Sequence, residues 1–258
     1  MVSAPIQVGK GPRGAARWRK GGGPWRYGKP PASASPAPVG HTPQKQATPR
    51  RKHSPIDSWA LMETPNAEQV ITRIKGDPSK HAEAANYYSH HGDMVVNEFL
   101  RHGVTRQPAR MLPGGKQEDT TPTDITQLAR NTISRLDEFI AARTLKKDVA
   151  LFRGASLPSK VVAALTPGSL FVDNGFTSTA LDKMTASNFA RNDKKKKLEG
   201  VLFHIRSYAG QSAAYMAPHS EHEDEQEFLL PRGTKFRVVE RRYTPTPSRH
   251  IIVVDVET

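Results

Sequence analysis

The chain has 258 residues, no cysteine, and 38 Lys and Arg against 25 Asp and Glu, for a formal net charge of +13. That length admits one domain of ordinary size with extensions, or two small ones. The lack of cysteine excludes disulfides and thiolate metal sites. No apolar run approaches the ~20 residues that span a bilayer. The opening MVSAPIQVGKGPRG also lacks the apolar stretch of a secretory signal peptide.

Residues 1–55 hold eleven Lys or Arg and no Asp or Glu, together with ten of the 21 prolines and eight of the 19 glycines. The remaining 203 residues therefore carry a net charge of only +2. A segment of this composition buries too little apolar area to offset its chain entropy, so a disordered basic tail is expected. Its stretch RWRKGGGPWRYGK interleaves cations with Trp18, Trp25 and Tyr27. Such a mixture can contact phosphates while stacking bases, so nucleic acid is a candidate partner. A solubilising or translocation tail would have the same composition.

Residues 56–147 have a helical pattern. A first helix is predicted from Thr64-Pro65 through VITRIK to Gly76, with Thr as cap and Pro in the first turn. NYYSHHGDMVVNEFLRHG predicts a second, with Val95, Val96, Phe99 and Leu100 on one face and Gly103 closing it. TPTDITQLARNTISRLDEFIAAR predicts a third, with Thr121 and Asp124 in cap-like spacing and a stripe of Ile125, Leu128, Leu136, Phe139 and Ile140. From 148 to 258 the period shortens to that of strands. DVALFRG, SLFVDNGFTST, EGVLFHIR, SAAYMA, EFLLP, TKFRVVERR and HIIVVDV are predicted strands, with short helices near PSKVVAAL and MTASNFAR. Helices first and strands afterwards argue for an α+β fold, a helical lobe followed by a β-rich core.

Dinucleotide-binding turns of the GxGxxG kind, phosphate-binding GxxxxGK[ST] loops and HExxH are all absent. His219 and His222 are three apart and form only a weak metal pair, so no metal is expected. Three strand ends carry more chemistry. Arg153, in LFRG, is either a surface or structural ion-pair residue or a planar clamp for phosphate. Ser178 and Thr179, in GFTSTAL, can cap the next element or position a carboxylate. Glu225 and Glu227 are expected on one side of an extended segment that enters EFLLPRGTKF.

The order Arg, then Ser-Thr, then Glu-x-Glu entering EFLLPRGTKF resembles the Arg-Ser-Glu class of mono-ADP-ribosyltransferases. That class includes binary-toxin components, Rho-modifying exoenzymes, type III effectors and phage-carried transferases. The resemblance covers about residues 80–258 and includes the helical lead-in, where NYYSHHGDMVVNEFLR is similar to the family's Tyr followed by Ile-Asn-x-x-Leu-Arg. It implies two small sheets in a sandwich around an NAD cleft. It also implies NAD as a substrate and a monomer that transfers ADP-ribose to an arginine of a target protein. Under the resemblance Glu227 bonds the ribose hydroxyl, Glu225 marks arginine-modifying members, and Ser178 and Thr179 hold the catalytic glutamate and the strand beneath nicotinamide.

The resemblance further implies that Arg153, with Gly154, holds the NAD phosphates. Tyr88 (or Tyr87), Asn97 and Arg191 are the remaining expected cofactor contacts, with Phe189 beside the last. His222 stands where members carry an aromatic that recognises the target, and Ala180 replaces the family's third serine. A Ser178 hydroxyl donating to Glu227 is expected to lower its pKa and keep it ionised. NAD hydrolysis, a non-arginine acceptor, and a non-enzymatic nucleic-acid-binding protein are the competing readings. The family suggests a secreted or injected protein acting in a host cell, or one carried in a phage particle.

Overall fold

The computed structural model describes residues 6–10, 16–20, 26–27, 66–70, 73–77, 79–103, 122–220 and 225–257. The chain divides into two units, Met1–His53 and Ser54–Thr258. In the first, where no regular structure was expected, the described backbone forms three short antiparallel strands, β1 (Ile6–Lys10), β2 (Ala16–Lys20) and β3 (Arg26–Tyr27). Ile6 pairs with Lys20 and Arg17 with Tyr27. So small a sheet has little stability of its own, which is why composition carries no sign of it.

In the second unit the first predicted helix is only α1 (Ala67–Val70), and its cap residues Thr64 and Pro65 lie outside the described residues. Arg73–Ile74 is instead a strand, β4, pairing with β5 (Arg143–Thr144). Ile74 is β-branched and loses less side-chain freedom in an extended ladder than in a helix. The second predicted helix is present as α2 (Ala82–Tyr87), a π-helical turn at Tyr88–Gly92, and α3 (Asp93–His102). Gly103 ends α3 at φ 75, as expected, with its N–H 2.7 Å from the Phe99 carbonyl. The third predicted helix is α4 (Pro122–Ala141); its cap Thr121 and the Asp124 side chain lie outside the described residues. Ile133, Leu136, Phe139 and Ile140 of α4 pack with Ala84, Ala85 and Val96.

After β5 come β6 (Val149–Pro158), α5 (Ser159–Ala164), β7 (Leu170–Asp173), β8 (Thr177–Ala180) and α6 (Lys183–Ser187). Then follow β9 (Leu198–Ser207), β10 (Ala214–Tyr215), β11 (Glu227–Leu230), β12 (Thr234–Pro245) and β13 (Ser248–Glu257). The helical half preceding a β-rich half is as expected. The two separate sheets are not: all strands from β6 onward belong to one mixed sheet, in the order β10-β11-β8-β6-β9-β13-β12-β7. Among the described residues only β9 and β13 run parallel.

The expected pair of sheets survives as two halves of this one. β6 pairs with β9 along its whole length, from Val149↔Ser207 to Pro158↔Leu198. With β8 it shares one pair, Phe152↔Ala180. Beyond that pair the strands part, so the sheet opens a gap while remaining continuous. The helical layer covers one side of the β10-β11-β8 half through Phe176, Ala214, Met216 and Leu229. The second half packs around Leu151, Phe203, Ile205, Phe236 and Ile252.

Candidate active site

A cavity of about 520 Å³ lies at this gap, walled by the π-turn and α3 on one side and α6 on another. Tyr88, Arg153, Gly154, Ser178, Glu225 and Glu227 all line it, as do Asn97 and Thr179. Residues from separate strands and from the helical half thus meet in one place. Cavities of this size take small organic ligands.

Register places the pieces. Glu227 opens β11 opposite Ala180, and Ala180 is the residue that also pairs with Phe152. Arg153 therefore lies next to the junction, and its Nη1 donates to the Ser178 carbonyl at 2.8 Å. The guanidinium ties β6 to β8 where the backbone ladder ceases. Thr179 is buried, and its hydroxyl donates to the Phe228 carbonyl at 2.7 Å, inside the ladder.

Glu225 and Glu227 both line the cavity, but not along an extended segment as expected. Gln226, between them, has φ 47, and Glu225 sits in a short helical turn. A left-handed backbone costs a residue with a side chain about 1 kcal/mol. Such outliers gather at functional sites. The kink turns a strand-entry segment into a rim that delivers two carboxylates to one space.

Burial is the main influence on Glu227, pushing its pKa from 4.5 up to about 7. The Ser178 hydroxyl opposes the rise, the Glu225 and Asp93 carboxylates add to it, and Arg153 opposes it again. The expectation that Ser178 sets the direction is therefore corrected: its hydrogen bond acts as expected, but desolvation is larger.

Asn97 and Tyr88 were expected to contact cofactor. Asn97 Oδ1 accepts from the Phe176 N–H at 2.8 Å and its Nδ2 donates to Tyr88 Oη at 2.9 Å. Tyr88 Oη lies 3.4 Å from Ser178 Oγ. Of the two candidate tyrosines, Tyr88 is the cavity residue. Gly154 is required by close approach: a Cβ there would overlap the Ala186 carbonyl and come within 2.8 Å of the Ala190 nitrogen and 2.9 Å of Phe189 Cβ. Arg191 is not brought to the cavity; it is exposed, with Nε donating to the Asn188 carbonyl at 2.6 Å. Its neighbour Phe189 does line the cavity.

His222 lies outside the described residues. His219 is not poised for metal; its ring meets Phe139 edge-on at 5.3 Å, and burial, then Arg143, lowers its pKa. Among the described residues no group of three His, Asp or Glu is placed to hold a metal ion.

Asp93, Phe152 and Arg101 are among the lining residues that escaped the sequence reading. Asp93 starts α3 and faces Glu227, and Phe152 carries the single-pair junction. Arg101 grips Asp173 through Nε and Nη2 at 3.0–3.2 Å. Asp173 in turn accepts from the Gly175 N–H and the Thr177 hydroxyl. The Leu-Arg of the helical lead-in was the available signal for Arg101, and VDNG was that for its partner.

A family model described as ADP-ribosyltransferase exoenzyme matches residues 79–258. The chain belongs to that family. A putative NAD(+)–arginine ADP-ribosyltransferase, Mav, of Mycobacterium avium is 35% identical over 105 residues, which are 40% of this chain and 11% of that protein. The NAD(+)–arginine ADP-ribosyltransferase EFV of Enterococcus faecalis is 32% identical over 108 residues, 42% of this chain and 21% of that protein. The matches thus span a small part of either relative.

In fold, this member of the exoenzyme family is similar to the Vis toxin, an ADP-ribosyltransferase from Vibrio splendidus. The TM-score is 0.53 at 21% identity, covering 70% of this chain and 74% of that one. C3stau2 from S. aureus, solved with NAD, gives 0.50 at 18%, covering 70% and 87%. The large mixed sheet is thus like that of ADP-ribosyltransferase toxins.

Proposed function

We propose that this protein takes NAD as its substrate, breaks the nicotinamide–ribose bond, and transfers ADP-ribose to an arginine of a target protein. The observation that carries this reading is the meeting of Glu225, Glu227, Ser178 and Arg153 in one cavity. The names of the two curated relatives support an arginine acceptor, and the C3stau2 structure with NAD supports the donor.

Bond cleavage leaves positive charge on the ribose, as in glycoside hydrolysis. Glu227, as a carboxylate beside the ribose, stabilises that charge and accepts from its hydroxyl more strongly as the charge grows. With a pKa near 7 the free protein holds Glu227 partly protonated at neutral pH, and a cationic nicotinamide ring alongside would favour the carboxylate. Arg153 offers its remaining N–H groups to phosphate while Nη1 supports Ser178. The acceptor guanidinium holds its proton above pH 12 and attacks only as that proton is taken. Glu225, on the kinked rim, orients it and takes the proton. We further infer a monomer acting on a host-cell protein, with residues 1–55 apart from the chemistry.

The test uses labelled NAD with a host-cell lysate. Glu225→Ala should abolish protein labelling and keep NAD hydrolysis, whereas Glu227→Ala should lose both. Label released by hydroxylamine supports the arginine linkage. Equal labelling by wild type and Glu227→Ala would sink the proposal.

A further inference from the structure

The hydrogen bonds behind Glu227 have a direction. The Phe176 N–H can only donate, so the Asn97 atom 2.8 Å away is the amide oxygen, and the amide cannot be flipped without losing that bond. Asn97 Nδ2 is then the atom facing Tyr88 Oη at 2.9 Å, and it must donate. The phenol oxygen is thereby an acceptor on that side, and its own proton has to point elsewhere. The next polar atom is Ser178 Oγ at 3.4 Å. Ser178 in turn contacts Glu227. Both upstream side chains are buried, Tyr88 to 1% and Asn97 to 8% exposure, so water does not offer the phenol an easy alternative.

We propose that Asn97 and Tyr88 are positioning residues: a one-way chain from Phe176 N–H through Asn97 and Tyr88 makes Ser178 an acceptor on one side, so that its hydroxyl proton is held on Glu227. The chain starts from a backbone amide on the turn that leads into β8, and it crosses from the helical half to the sheet. It assigns to Asn97 and Tyr88 a task that needs no contact with NAD. Burial pushes the phenol's pKa up, so Tyr88 remains a donor across the working range.

The inference rests on Glu227 as the reacting carboxylate, but its test does not. In protein carrying ¹³C in glutamate side chains, with Glu227 assigned through Glu227→Gln, the Glu227 carboxyl shift is followed against pH without substrate. Besides Ser178, the groups that face Glu227 are Glu225 on its own segment, Asp93 from α3, Arg153 from β6 and the Tyr88 phenol from the π-turn. These groups are left unchanged in Asn97→Asp, which keeps an oxygen for Phe176 N–H and replaces the donor to Tyr88 by an acceptor. The phenol proton then turns to the introduced carboxylate, the Ser178 proton is drawn to the phenol oxygen, and Glu227 loses its donor. The Glu227 midpoint should rise by about one unit, a tenfold change in proton affinity.

In a Tyr88→Phe background the same substitution should shift the midpoint by less than half as much. Equal shifts in the two backgrounds would mean that the introduced carboxylate acts by its charge alone, and that overturns the proposal. Tyr88→Phe by itself deletes one oxygen and keeps the buried ring. It should also raise the midpoint, and an unchanged midpoint overturns the proposal even if Asn97→Asp does not fold. If NAD cleavage proves absent while these shifts appear, the functional reading fails and the positioning chain stands.

Discussion

Arg153 Nη1 donates to the Ser178 carbonyl at 2.8 Å, beside the one residue pair that joins β6 to β8. One side chain therefore performs the last stitch of the sheet and lines the cavity that the missing stitches create. A lysine cannot donate through a planar fork, so it would have to choose between the carbonyl and a phosphate. Arg153→Lys should raise KM for NAD at least tenfold, and thermal unfolding should show a loss of about 1.5–3 kcal/mol for the charged hydrogen bond. A large loss of stability with unaltered KM would leave Arg153 a purely structural residue.

The pH dependence of NAD cleavage should report Glu227. With its pKa raised to about 7, the free protein gains the reactive carboxylate as pH rises through 7, so kcat/KM should climb between about 6 and 8 and then level. A flat profile down to pH 5 would contradict the raised value.

The same shift has a stability consequence of opposite sense. Native Glu227 binds its proton more tightly than the unfolded chain, whose value is the ordinary 4.5, so stability falls as pH rises from 4.5 to about 7. Glu227→Gln removes that loss. It should be more stable than wild type at pH 8, by at most about 3.5 kcal/mol at about 1.4 kcal/mol per unit, and equal to it at pH 4. Chemical denaturation at the two pH values measures the difference, which is the cost of holding a reactive carboxylate partly withdrawn from water.

Gly154→Ala tests the close approach of β6 to α6. The added methyl would overlap the Ala186 carbonyl, backbone against backbone, so relief requires moving the helix. A loss of about 1–3 kcal/mol is expected, with weakened NAD binding, because Thr185, Ala186 and Phe189 line the cavity. Unchanged stability would show that α6 gives way freely.

Removing residues 1–53, the first of the two units, should leave NAD cleavage unaltered. Loss of cleavage on deletion would make that segment part of the catalytic unit.

Much of this was legible in the chain order of residues. The α+β class followed from the switch from a 3.6 to a 2.0 period near residue 147, because side-chain direction is a local property of helix and strand. The four candidate residues stood out because each is a polar group beside an apolar run, although only Glu227 is at a strand end: Arg153 lies inside β6, Ser178 inside β8, and Glu225 in the turn before β11. Arg191, expected beside the cofactor, does not line the cavity, and a loop such as RNDKKKKLEG carries no periodicity to fix its direction. The helix expected as far as Gly76 failed where a partner strand about 70 residues away, Arg143–Thr144, offered its ladder to Arg73–Ile74.

By itself the sequence determined the kind of most elements, their order, and the candidate side chains for the chemistry. Those properties depend on composition and spacing within a few residues. Only the tertiary structure decided that the two expected sheets are one sheet held by Phe152↔Ala180, and that Gln226 kinks the acidic rim. It also decided that Glu227 titrates near 7 rather than below 4.5. Each of these depends on what distant segments exclude or supply: a ladder that runs out, a turn bent to fit a cavity, and a carboxylate partly withdrawn from water.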